Sequence, residues 1–130
     1  MMEAFKEFKE LVDQNKKKLD DINNSISQIQ EDIGTLIPFT HFCYIFETNY
    51  SNDDISEENY SIQWNPEHGK LEAVLFSGHD FNNPVNEKRW NILNSPIGFR
   101  IKPDWNDFLR KLIEFAKISE LKKNYVAYKE

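Results

Sequence analysis

Across residues 2–33 the chain keeps an apolar repeat of 3.5 residues, and any fold must accommodate that stripe. With Phe5 as position a, the a positions are Phe5, Val12, Leu19, Ile26 and Ile33, and the d positions are Phe8, Asn15, Ile22 and Ile29. Only Asn15 among these is polar, and neither Pro nor Gly interrupts the run. A repeat of this period is the mark of a coiled-coil seam, because it holds one stripe of side chains against a partner helix. Lys6, Glu10, Asp13, Lys17, Asp20, Asp21, Gln28 and Glu31 supply the polar back. Gly34 is the expected residue just past the helix end, with Pro38 beyond it. The helix should be about 48 Å long, against roughly 32 Å for the C-terminal helix described below. Part of the seam then lacks an intrachain neighbour, so these a and d residues form the predicted self-association surface.

The seam speaks less clearly about the number and direction of chains. Ile at both a and d in the second half favours three or four strands, and Asn15 is a polar layer of the kind that sets register. The flanking e and g positions carry Lys9, Lys16 and Lys18 early, then Asn23, Gln30, Ser25 and Asp32 late. Over the full length, a parallel bundle gathers the lysines, whereas an antiparallel pair sets them against neutral or acidic groups. The pattern does not choose between these arrangements.

From Pro38 the period changes from 3.5 to 2. Residues 40–48 alternate His41, Cys43, Ile45, Glu47 with Phe42, Tyr44, Phe46, Thr48, which predicts a strand, central because both faces begin apolar. The acidic stretch 49–59 is expected to be a loop. Residues 60–64 place Tyr60, Ile62 and Trp64 on one face. The turn Asn65-Pro66-Glu67-His68-Gly69 then leads into a strand over 70–77, the pattern of a β-hairpin. Residues 78–87 are expected as loop, 88–93 as a short edge strand, and 97–101 as a further strand with Ile97, Phe99 and Ile101 in line. Asp104, after Pro103, is a good N-cap, and Trp105, Phe108, Leu109, Leu112, Ile113, Phe115 and Ala116 cover an arc of about 160° of the helix that follows. The reading is an α+β protein with an association helix over 1–37. A compact unit over 38–130 follows, made of an antiparallel sheet of four to five strands and a C-terminal helix packed on it.

Charge excludes several function classes. The net charge is −6 and the sequence pI about 5.1. Even the least acidic segment, 103–130, has six bases against five acids. That surplus is too small to neutralise a phosphate backbone, so no nucleic-acid partner is expected. The lone Cys43 rules out an internal disulfide and fits a reducing compartment. The N-terminus is charged from its third residue and no apolar run approaches ~18 residues, so neither a signal peptide nor a membrane span is expected and the expected location is cytoplasmic. The abundance of Asn, Lys and Ile is compatible with a bacterial or phage source.

Chemistry-bearing residues are sparse. Cys43 and His41 share a strand face, yet a catalytic thiol also needs an oriented base and a neighbour favouring thiolate. His41, Cys43, His68, His79 and Asp80 lack the spacing of a metal site, and His79-Asp80 leaves a strand as an ordinary loop would. No cofactor or metal is expected. Lys88, Arg89, Arg100 and Lys102 could form a small basic spot around Trp90, suited to a carboxylate or an acidic peptide. Tyr60, Trp64, Trp90, Arg89, Arg100, Ile118 and Leu121 are the candidate partner-binding residues, aromatic and Arg anchors plus two apolar positions off the main arc of the last helix. The expected function is therefore non-enzymatic: a protein-interaction module of chaperone, immunity or inhibitor type that self-associates through its first helix. The alternative is a small hydrolase or ligand-binding enzyme using Cys43 and His41 or His79 and Asp80.

Overall fold

The N-terminal repeat folds as one continuous helix, α1 (Met2–Leu36), about 52 Å long at 1.5 Å per residue. This computed structural model describes residues 2–50, 57–77 and 86–129, with side chains of the last segment described as far as Ile118. Four strands follow: β1 (Phe42–Tyr50), β2 (Glu57–Asn65), β3 (Lys70–Ser77) and β4 (Glu87–Asn91). A 3-10 turn (Ile92–Asn94), the one-turn helix α2 (Gly98–Ile101) and the helix α3 (Trp105–Lys129) complete the chain. The sheet is an antiparallel meander in the order β1-β2-β3-β4. The fold is thus α+β, with a long N-terminal helix, a four-stranded antiparallel sheet and a C-terminal helix.

One core joins the elements. Ile26 and Ile33 of α1 meet Ile62, Trp64, Leu71 and Ala73 of the sheet, Phe99 of α2, and Phe108 and Leu112 of α3. Ile26 and Ile33 are 1% and 2% exposed, and each such burial is worth about 1.5–3 kcal/mol. Polar ties fix the same half of α1: Gln30 Oε1 accepts from the Leu71 amide at 2.9 Å, and Arg100 Nη1 donates to Asn23 Oδ1 at 3.0 Å. Asp104 caps α3 by accepting from the Asp107 amide at 3.1 Å. Tyr44 then donates to Asp107 Oδ2 at 2.8 Å, tying β1 to the first turn of α3. The hairpin between β2 and β3 closes through Asn65, whose carbonyl accepts from the His68 and Gly69 amides, with Gly69 at φ +62°.

Six expectations are corrected. Residues 49–50 and 57–59, expected as loop, belong to β1 and β2, and the edge strand expected over 88–93 runs instead from Glu87 to Asn91 and gives way to the 3-10 turn. Gly34 does not end α1: the helix runs to Leu36, and the Ile37 amide still reaches the Ile33 carbonyl at 2.9 Å. Having no side chain, Gly34 lies against the Trp64 ring. β1 is an edge strand rather than a central one, because a meander with no crossover puts its first strand outside. The expected alternation in β1 also breaks at a bulge. Ile45 pairs with Ser61 but Glu47 pairs with Tyr60, so Phe46 is the extra residue, and Glu47 and Thr48 exchange faces. Finally, 97–101 is not a strand. Carbonyls of Pro96, Ile97 and Gly98 accept helical-turn bonds from Phe99, Arg100, Ile101 and Lys102, and of the in-line apolar residues only Phe99 is buried. Pro96 cannot donate to a ladder, and one buried ring needs only one turn to place it.

Candidate functional site

The seam of α1 is divided by the fold. Its second half belongs to the body: Ile26 and Ile33 are buried, and Ile22 and Ile29 pack at the margin of the core. Its first half stands clear. Phe5 and Phe8 are each 60% exposed and Leu11 53%, with Asn15 exposed and Val12 and Leu19 half-covered. At 100° per residue, Phe5, Phe8, Val12 and Leu19 lie within about 60° of Ile26 around the helix. The unpartnered apolar face and the buried one are therefore the same face. A helix of mostly charged surface that keeps two phenylalanines in water exposes a contiguous apolar patch, the usual mark of an interface.

A second apolar surface lies at the other end of α1. Ile29, Leu36 and Phe39 on one side and Leu109, Ile113 and Lys117 on the other border a groove of about 1200 Å³ between α1 and α3. Phe39 is 89% exposed and Leu36 and Ile113 are half-exposed. Ile118, one of the expected partner-binding residues, is 54% exposed on the adjoining turn of α3. Leu121, named with it, lies outside the residues whose side chains are described. The run Leu36-Ile37-Pro38-Phe39 was the available sequence signal for this groove, hidden beside the helix terminus.

Of the remaining candidates Trp64 is buried, Tyr60, Trp90 and Arg100 are half-buried, and Arg89 is exposed on β4. Trp64 is 2% exposed, its Nε1 donating to the Ile37 carbonyl at 3.0 Å, so it is a core residue rather than a surface anchor. Tyr60 and Trp90 each pack against Phe99, at ring-centroid distances of 5.8 and 5.4 Å. Arg100 is held by Asn23 and by the Ser95 carbonyl. Arg89 and Arg100 thus do not form a shared basic spot around Trp90, since Arg89 points to the opposite sheet face with Glu87 and Glu72.

On that face Arg89 anchors a polar ladder across the sheet. Its Nε donates to Glu87 Oε1 at 2.7 Å, its Nη1 to Glu72 Oε1 at 3.1 Å and its Nη2 to Gln63 Oε1 at 3.5 Å. Gln63 Nε2 in turn donates to Ser61 Oγ, which donates to the Val74 carbonyl at 2.9 Å. Burial lowers the pKa of the guanidinium, but its bonds and charge pairing with Glu87 and Glu72 outweigh that and hold it protonated. Ser61, Gln63 and Glu72 were not singled out in the sequence, because polar residues alternating with apolar ones look like a solvated face.

Cys43 borders this ladder. Burial pushes its thiol up to about 11, against smaller opposing effects of Ser61, Arg89 and Gln63. The thiol is therefore protonated near neutral pH, the opposite of what a nucleophile requires. His41 is exposed and precedes β1, while His68 sits in the hairpin turn with Nδ1 3.4 Å from Glu72 Oε1. His79 and Asp80 lie outside the described residues. Among the described residues no group of three or more His, Cys, Asp or Glu is placed to hold a metal ion, and no helix is long and apolar enough to cross a membrane. Compared with known proteins, the chain matches no family model, no curated protein and no solved structure.

Proposed function

We propose that the chain is a non-enzymatic protein-interaction module that self-associates through the first half of α1. One observation carries the reading: the exposed face of Phe5, Phe8, Val12 and Leu19 continues, in heptad register, the face by which Ile26 and Ile33 enter the core. A seam that kept period only to pack on its own sheet would have no need of Phe5 and Phe8 some 30 Å from Ile26 by helical rise. Their removal from water by a second copy gains the burial that the fold itself withholds. The groove beside α3 is the surface for a protein partner, since an apolar trough between two helices takes the apolar face of an amphipathic helix. The single, protonated cysteine fits a reducing cytosol.

The test is mass in solution. Light scattering on the intact chain should give a multiple of 15.5 kDa, and Phe5→Asp with Phe8→Asp should reduce it to one chain while circular dichroism shows the folded body intact. A wild-type mass of one chain across micromolar concentrations overturns the self-association.

A further inference from the structure

Direction and register of that association follow from where the body sits on α1, and the inference rests on the self-association reading above. Two copies paired parallel and in register would face each other along the whole seam. The body of each buries that same face from Ile26 onward, with Ile22 only at its margin, so the two bodies would claim one volume beside residues 26–33. An antiparallel pair has no such conflict: each first half covers the other, and each body lies beyond the N-terminus of the opposite helix.

Asn15 then selects the register. In the alignment that seats Phe5 against Ile22 of the second copy, Phe8 meets Leu19 and Val12 meets Asn15. The two Asn15 amides occupy the two central layers, about 4.5 Å apart along the axis, where they can bond across the two-fold. Sliding one heptad apart would set each Asn15 against Phe5 alone, with no polar partner. Sliding one heptad closer would drive Phe8 towards the buried Ile26 of the second copy. Lys9 falls opposite Lys16 in the chosen register, but an exposed like-charge pair is a small penalty that salt screens. Leu11 falls opposite Lys18, whose aliphatic stem can cover it. Of the late isoleucines, which in sequence favour three or four strands, Ile26 and Ile33 are buried within the body, so their layers do not set the number of chains.

We infer that two copies of this chain form an antiparallel dimer, first half of α1 against first half of α1, with the two bodies at opposite ends. Spin labels on Glu3→Cys or Lys17→Cys, both on the polar back, test it in the full chain with Cys43→Ser, or with Cys43→Ala should that background fold poorly. Pulsed dipolar distances should be longer for residue 3 than for residue 17 by roughly 15 Å, because the axial offsets are about 31 Å and about 10 Å at helical rise. Equal distances at the two positions, or a mass above that of two chains, overturn the antiparallel dimer while leaving self-association standing. A monomer in light scattering removes both.

Discussion

The ring of Trp64 lies against Gly34: a Cβ built on Gly34 would stand 3.6 Å from Trp64 Cη2, an ordinary van der Waals contact. The glycine is inside α1 with no left-handed backbone to require it, and the ring leaves room for one methyl group but no more. Gly34→Ala should therefore stabilise the protein by about 0.5–1 kcal/mol through helix propensity alone. Gly34→Leu should lose stability, since its branches would displace the indole and break the 3.0 Å bond to the Ile37 carbonyl. Urea titration of both variants decides the matter, and an equal response to Ala and Leu would contradict the packing.

Ile26 and Phe8 share one helix face but not one environment, and substitution should separate them. Ile26→Ala should cost about 2–5 kcal/mol of folding stability, as a buried large-to-small change does. Phe8→Ala should leave the midpoint at low protein concentration nearly unchanged. The comparison is read by denaturation at two concentrations, where only the Phe8 effect should depend on concentration.

Glu72 is 7% exposed and takes its charged donor from Arg89. Arg89→Ala should cost about 1–3 kcal/mol, chiefly by leaving that carboxylate short of a partner. Arg89→Lys should recover only part, since an ammonium cannot reach Glu87, Glu72 and Gln63 with one rigid fork. The double change Arg89→Ala with Glu72→Gln should be less harmful than the two singles added together, and a double-mutant cycle with no coupling would refute the ladder.

Stability should fall in alkali. Burial raises Cys43 from 9.0 to about 11, and burial with the bond to Asp107 raises Tyr44 from 10.0 to about 12. Both folded-state values exceed the unfolded ones, so the folded chain binds more protons and each contribution is present below the unfolded pKa. It is lost as pH rises through roughly 9 to 12, first with Cys43 and then with Tyr44. Denaturation midpoints at about pH 8 and about pH 11 should show the drop, and Tyr44→Phe should lessen its upper part. Alkylation of Cys43 in the folded chain should likewise titrate near 11 rather than 9.0.

Local pattern and tertiary context divided the information unequally. The α1 helix, the hairpin around Asn65 to Gly69 and the Asp104 cap were legible, and so was the existence, though not the bounds, of the short strand expected over 88–93, since each depends on residues close in sequence. The bulge at Phe46 was not, because an extra residue is defined only against the strand across from it. Nor was the turn at α2, where Ile97, Phe99 and Ile101 mimic a strand while only the ring is buried. The polar ladder of Arg89, Glu72 and Gln63 needed three strands to be aligned before its members could meet.

The heptad repeat alone determined that α1 would be long, one-faced and in need of cover, because period and polarity are properties of the chain itself. Which residues of that face remain uncovered was decided only by the tertiary structure. The sheet and α3 enclose Ile26 and Ile33 and leave Phe8 exposed, and burial depends on where other elements lie, not on the repeat that both residues share.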